Sequence, residues 1–290
     1  MLANITIGIP TYKRPDLLKR ALNSFVHKSI DDDLKINILV SVDGVDEKYD
    51  EYKNLEYEFE NLKFIKFFFH KKNIGSLKNF FFLRDNCNTE YFMWLADDDE
   101  ISFLTIKEMY NKLSKSNAVS ITPYWELINN SGLRKLIKPK IFDNKSLLVR
   151  IFKYLNDSDD AFFYGLHKTR YLKNCDFRNF WWPNNGILSN WCYVFQFDLV
   201  IQGQIILLDN KDLKWINHDY GEKYYPRATN KKFFRYFSFF VRKINIYLSY
   251  FYKILKWRKF NLLLPLIPIF FIFLIRDIFL ERPIYKRIKF

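Results

Sequence analysis

Strand-like and helix-like stretches alternate from residue 5 to about residue 125, and that alternation restricts the chain to few architectures. "ITIGIP" reads as a buried strand closed by Pro10, and "PDLLKRALNSFVHKS" carries apolar residues at helical spacing behind Pro15. "KINILVSVDG" reads as a second strand ending at Asp43-Gly44, "DEKYDEYKNLEYEFEN" as an acid-rich helix, and "LKFIKFFFH" as a third strand. "SLKNFFFLRDNC" is helical and "EYFMWLA" is a fourth strand; a helix over 101–115 and the strand "AVSITPYW" follow. Strands separated by helices of this length predict an α/β fold with βαβ units and a mostly parallel sheet. In such a sheet ligands bind beyond the carboxyl ends of the strands. Three features fall there: Pro10-Thr11-Tyr12, Asp43-Gly44 and the acidic run Asp97-Asp98-Asp99-Glu100.

From 126 to 220 the pattern is less regular, with helices expected in "KSLLVRIFKYLN" and "GILSNWCYVFQFDLVIQG" and strands in "AFFYGL" and "QIILLD". Charge divides the chain more sharply than pattern does. Of the net +14, residues 227–290 carry +13, from 15 Lys and Arg against Asp277 and Glu281. The first 226 residues are therefore close to neutral. We expect one domain over 1–226, with a nucleotide-binding half to about 120 and an acceptor half over 121–226, followed by a basic segment over 227–290. The three cysteines have no metal or redox spacing, which fits buried reduced thiols. The first residues show no basic stretch followed by an apolar one, so no leader is predicted.

Adjacent carboxylates at a strand end repel unless something offsets their charge. Mg²⁺ or Mn²⁺ does so with one or two carboxylates plus substrate phosphates, and it stabilises a diphosphate as leaving group. The competing reading is a solvated loop in which Asp99 or Glu100 caps the following helix. The neighbours favour a ligand site: Asp43 can accept hydrogen bonds from a base or ribose, and Tyr12 can stack on a base. Lys13, Arg14 and Lys78 supply positive charge for phosphates, and Asn73 and Gly75 shape the loop after the third strand.

Four segments, "IPTYKRPDLLKRALNSF", "VSVDG", "NIGSLKNF" and "WLADDDE", stand in the order and approximate spacing of a family 2 glycosyltransferase. The chain resembles that family, in its bacterial polysaccharide-biosynthesis type, well over residues 1–120 and loosely over 120–220. The resemblance implies a GT-A fold in which Pro10, Thr11, Tyr12 and Arg14 line the nucleotide site. It implies further that Asp43 binds the base, that Lys78 and Asn79 lie beside the donor, and that the acids form a DxD element. Two registers fit. Asp97 and Asp99 satisfy DxD, whereas a Leu-Asp-x-Asp-Asp pattern puts Ala96 on the first acid and leaves Asp98 and Asp99. The metal, Mg²⁺ or Mn²⁺, would then fall to Asp99, Asp98 or Asp97, and His218 would complete the metal–diphosphate site. An inverting transfer also needs a carboxylate base. Where the family carries an acidic pair, this chain has Ser189 and Asn190. Asp157, Asp159, Asp160, Asp219 and Glu222 are the candidate substitutes.

Residues 230–257 wind into an amphipathic helix. Its polar arc of roughly 160° runs from Lys231, Lys232 and Arg235 through Arg242, Lys243, Asn245, Ser249 and Lys253 to Lys256. A cationic face opposite an aromatic one is the pattern of a helix lying on an anionic lipid surface. "NLLLPLIPIFFIFLI" reaches about 22 Å as a helix, short of the roughly 30 Å hydrocarbon core. It is therefore expected to be interfacial or re-entrant rather than spanning, with a helical lid on the domain as the competing arrangement. The apolar run excludes a nucleic-acid partner for this segment. The sequence thus predicts a peripheral or monotopic enzyme at the cytoplasmic face of the inner membrane. It would move a sugar from a nucleotide diphosphate sugar to a lipid-linked saccharide, as in O-antigen or capsule synthesis. A non-catalytic glycosyltransferase-like scaffold and a nucleotidyltransferase are the alternatives, the latter disfavoured by the lack of glycine in "IPTYKRP".

Overall fold

The computed structural model describes residues 4–26, 34–44, 47–175, 191–218 and 232–279. Strands β1 (Ile5–Thr11), β2 (Ile36–Val42), β3 (Ile65–Phe69) and β4 (Tyr91–Trp94) alternate with helices α1 (Pro15–Asn23), α2 (Tyr49–Glu58) and α3 (Ser76–Asp85). β1 is buried at all seven positions, as a strand covered on both faces must be. β1 pairs in parallel with β2 on one side and β4 on the other, and β2 pairs in parallel with β3. Pro15 at the start of α1 ends the extended run, and Leu17, Leu18, Ala21 and Leu22 turn inward.

Next come β5 (Glu100–Ile101), α4 (Phe103–Ser114), β6 (Ser120–Thr122), β7 (Tyr124–Ile128), β8 (Arg134–Ile137) and α5 (Leu147–Asn156). A 3₁₀ turn over Ala161–Tyr164 leads to β9 (Leu166–Lys168), α6 (Thr169–Lys173), α7 (Trp191–Gln202), β10 (Ile205–Leu207) and β11 (Lys214–His218). The main sheet runs β10-β6-β9-β4-β1-β2-β3, with β9 antiparallel to β4 and β6. A smaller sheet, β5-β11-β7-β8, stands beside it. The predicted α/β class and mostly parallel sheet are what the chain adopts.

Two local expectations change. The helix expected from 101 begins at Phe103, because Ile101 pairs with Trp215 in the small sheet. Its cap is Ser102, whose Oγ accepts from Thr105 N at 3.1 Å, and neither Asp99 nor Glu100 fills that role. "AFFYGL" is mostly a 3₁₀ turn rather than a strand: Phe162 and Phe163 are both buried, and extended pairing starts only at Leu166.

Helices α8 (Lys232–Lys256) and α9 (Leu263–Phe279), joined through a 3₁₀ turn over Phe260–Leu262, complete the described chain. Ile246, Tyr250 and Ile254 of α8 and Leu266, Phe270 and Phe273 of α9 join the core built by α5 and α7. Four described members of the predicted polar arc of α8 point the other way from expectation, while Lys256 at its end is exposed. Lys243, Asn245, Ser249 and Lys253 are buried against protein. Lys253 Nζ lies 2.5 Å from Asp198 Oδ2 of α7, and the Trp257 indole donates to Asp198 Oδ1 at 2.7 Å. Lys243 and the Tyr247 hydroxyl meet Asp277 Oδ2 of α9 at 3.3 and 3.0 Å. Two buried acids thus turn this stretch of cationic face inward. Among the described residues no helix is long and apolar enough to cross a membrane.

Candidate active site

Parallel pairing brings the ends of β1, β2 and β4 to one edge. Asp43 N donates to Thr11 O at 2.9 Å and Leu95 N donates to Gly8 O at 3.1 Å, which zips the three segments together just past the strands. Gly44 has φ 100°, and a Cβ there would lie 2.7 Å from Asn73 N. Only glycine permits this turn. It places Asp43 against the loop after β3, where Asp43 Oδ1 accepts from Ile74 N at 2.6 Å and Oδ2 from Gly75 N at 3.1 Å. Asp43, expected to bind a base, therefore also holds the loop that opens α3. On that helix Lys78 is exposed, while Asn79 is buried and donates to Ser41 O at 3.0 Å.

The β1–α1 turn is pinned from below. The Tyr52 hydroxyl of α2 lies 2.8 Å from Thr11 Oγ1 and accepts from Arg14 N at 2.9 Å. Lys13 adopts a left-handed backbone, φ 58°, which is uncommon for a non-glycine residue. Pro10 and Thr11 are buried, whereas Tyr12 is 41% exposed, with Lys13 Nζ 5.5 Å from its ring centroid.

The acidic run lies deep. Asp97 and Asp99 are fully enclosed, Asp98 is nearly so, and Ala96 is half-buried. Arg14 sits between the first two, with Nη2 2.6 Å from Asp97 Oδ1 and Nη1 3.1 Å from Asp98 Oδ2. Burial pushes the Asp97 carboxyl up to about 7 even so; the Arg14 charge pulls against it and Asp98 adds to the rise. Burial, with the Asp98 charge second, raises Asp99 well above the usual carboxylate range. Asp99 Oδ1 accepts from Asn217 Nδ2 at 2.9 Å; Oδ2 lacks a full hydrogen bond, as do both oxygens of Asp97, and the nearby Trp215 indole pulls the Asp99 carboxyl back down. His218 lies beside the run as expected, but its Nε2 is 2.8 Å from Glu100 Oε1. Arg20 secures the same corner, donating to Asp98 O at 2.6 Å and meeting Glu100 at 3.0 Å.

The chemistry of this set decides how a cation would fit. Among the described residues no three His, Cys, Asp or Glu side chains converge into a protein-made metal centre. A Mg²⁺ or Mn²⁺ that takes one or two carboxylates and leaves the rest to phosphates and water needs no such centre. Oδ2 of Asp99, without a full hydrogen bond, fits that role, and Asp98 lies next to it. Arg14 already supplies counter-charge to both Asp97 and Asp98, which leaves Asp99 as the acid without a guanidinium partner among the described ion pairs.

Asp160 immediately precedes the 3₁₀ turn, and the Tyr164 hydroxyl is raised first by burial and then by the charges of Asp99, Asp160, Cys192 and Asp98. Asp160 and the acidic run thus both lie within electrostatic reach of Tyr164. Asp159 accepts from the backbone of Lys140 and Ala161 at 2.8 and 3.1 Å, and burial lifts it to about 7. Asp157 pairs with Lys140. Ser189, Asn190, Asp219 and Glu222 lie outside the described residues. Tyr52, Arg20, Asn217 and Tyr164 escaped the sequence reading. Only Arg20 left a signal, as a second arginine on the helix that follows a motif destined to meet four acids.

An α/β, mostly parallel sheet with an enclosed acid cluster, an exposed tyrosine and a buried aspartate at one carboxyl edge has the architecture of the GT-A class. The family model for glycosyl transferase family 2 matches residues 6–185. The chain belongs to that family. No curated protein sequence matches it. Among solved structures it is similar to S. aureus TarS 1-349 in complex with UDP-GlcNAc, at 15% identity and TM-score 0.61, covering 83% of this chain and 66% of that one. The same TarS fragment in complex with UDP gives 15% identity and TM-score 0.60 over 85% and 65%. The chain therefore spans just under two thirds of those fragments, and 39% of the longer TarS structure, where the TM-score is 0.55 at 15% identity over 83% of this chain.

Proposed function

We propose that the chain transfers a sugar, with inversion, from a nucleoside diphosphate sugar to a hydroxyl of a lipid-linked saccharide at the cytoplasmic face of the inner membrane. The observation that carries this is the enclosed Asp97–Asp99 run at the edge it shares with Tyr12 and Asp43. Burial holds two of those carboxylates above their usual range, and a ligand-borne cation would relieve them. TarS structures that hold UDP and UDP-GlcNAc share the fold, so UDP heads the set of nucleotides to test.

Each residue then has a task. The Tyr12 ring stacks on the base, and Asp43 holds the Asn73–Gly75 loop against it. Asp99, with Asp98 beside it, would hold Mg²⁺ or Mn²⁺, and such a cation would supply charge neutralisation for a departing diphosphate. His218 and Asn217 keep Glu100 and Asp99 in place. Asp160 takes the acceptor proton as the hydroxyl oxygen attacks the anomeric carbon. A new C–O bond forms, the bond to the diphosphate breaks, and the nucleoside diphosphate leaves.

Thermal shift with UDP, GDP and CDP, each with Mg²⁺ or Mn²⁺, tests the binding step. One diphosphate should raise Tm by several degrees with metal, and Asp99→Asn should abolish the metal-dependent part. No shift with any diphosphate would refute the reading. Asp160→Asn should retain the shift and lose turnover by about 10²-fold or more. Full turnover in that variant would move the base elsewhere.

A further inference from the structure

Helix α9 is inside out for a helix on the surface of a soluble domain. Every exposed position from Leu264 to Ile275 is apolar: Leu264, Ile267, Phe271, Ile272 and Ile275, with Pro265 and Pro268 among them. Leu264 is 84% exposed, and Phe271 and Ile272 exceed 60%. At 100° per residue these positions span an arc of roughly 160°. The polar groups of the same helix face inward or sideways. Asp277 binds Lys243 and Tyr247, and Arg276 donates to the carbonyls of Asn156 and Leu155 at 3.2 and 3.0 Å. Those bonds fix the rotation of α9, so the stripe cannot roll under the protein without breaking them.

An exposed apolar stripe of this kind marks an interaction surface. We propose that this face of α9 lies in the interface of an anionic membrane leaflet, parallel to its plane. Three observations select that occupant. The 17 residues of α9 make a helix of about 25 Å, too short for the hydrocarbon core but suited to lying along it. Phe260, Arg258 and Lys259 are exposed at the corner where α8 turns into α9, placing cations beside the stripe at headgroup level. Residues 227–290 carry +13, which an anionic surface attracts. A second copy docking isologously would bring a second cation of equal size against the first. The contact therefore uses the outward face of α9 rather than the polar arc of α8, four of whose residues are spent on internal partners or buried.

This surface deepens the membrane part of the function proposed above and rests on that reading for its purpose. The experiment reads vesicle binding apart from nucleotide binding, so either can fail alone. The full chain is sedimented with phosphatidylcholine vesicles, with and without about 30% phosphatidylglycerol. Wild type should bind the anionic vesicles at least tenfold more tightly than the neutral ones. The double variant Phe271→Asp/Ile275→Asp should lose at least tenfold in that binding, with Tm and nucleoside diphosphate binding unchanged. Leu133→Asp, at an equally exposed leucine in the β7–β8 turn, should bind vesicles as wild type does. As a gain of signal, Phe271→Trp should blue-shift in fluorescence on vesicle addition and be quenched by brominated lipid. Vesicle binding by the double variant equal to wild type, or no quenching at Trp, overturns the proposal. A dimer in light scattering that the double variant dissolves, without vesicle binding by wild type, assigns the face to a second copy and also overturns it.

Discussion

Arg14 is the residue on which the acid cluster depends electrostatically. It meets two carboxylates at 2.6 and 3.1 Å, and one of them is fully buried. Arg14→Ala would leave that pair without its guanidinium and should cost about 1–3 kcal/mol near neutral pH. The cost has a sign in pH. Asp97 stands raised to about 7, so its neutral form is the one the fold prefers. Stability from that preference is full below the ordinary carboxylate range and is lost as pH rises toward 7. Urea denaturation should therefore show the Arg14→Ala penalty shrinking between pH 7 and pH 4. His167 gives the opposite slope. Burial lowers it to about 4, with the Phe163 carbonyl 3.0 Å from Nε2. The unfolded chain takes up its proton first, so stability falls as pH drops from about 6.5 to about 4, by at most about 3 kcal/mol. His167→Gln should flatten that component of a Tm-against-pH curve. Neither effect was legible in the linear chain. Arg14 reads there as a phosphate binder and His167 carries no signal at all, because both depend on what packs around them.

At the scale of elements, the βαβ run was readable because strand and helix periods are local. The end of β1 in Pro10, the turn at Asp43-Gly44 and the acids after β4 could each be placed on one edge from topology alone. Helix α8 shows where local pattern stops. Its amphipathic arc says which residues share a face, and only Asp198 and Asp277 decide that much of that face turns inward. The Asp198–Lys253 pair is fully buried on both sides. Asp198→Ala should cost about 3–5 kcal/mol by leaving a buried ammonium unpaired. Adding Lys253→Met should recover much of that loss, and a double-mutant cycle in urea measures the difference.

At the scale of the whole molecule, charge suggested two parts with two tasks, whereas packing joins them. Ile246, Tyr250, Ile254, Phe270 and Phe273 close the same core as Phe197 and Val200 of α7. Truncation after residue 226 should therefore expose that core. The shortened chain should aggregate or lose protease resistance instead of yielding a soluble, nucleotide-binding domain, as size exclusion and limited proteolysis would show. The order of strands, the positions of Tyr12, Asp43 and the acidic run, and the excess of charge after residue 226 are properties of the sequence by itself, because period, turn chemistry and charge are written locally. The tertiary structure alone decided that Arg14 pairs with Asp97 and Asp98 while Asp99 turns to Asn217, and that α9 rather than the polar arc of α8 offers the outward apolar surface. Both outcomes depend on which distant side chains reach a buried charge first, and residues as far apart as Asp99 and Asn217, or Asp198 and Lys253, meet only when the chain has folded.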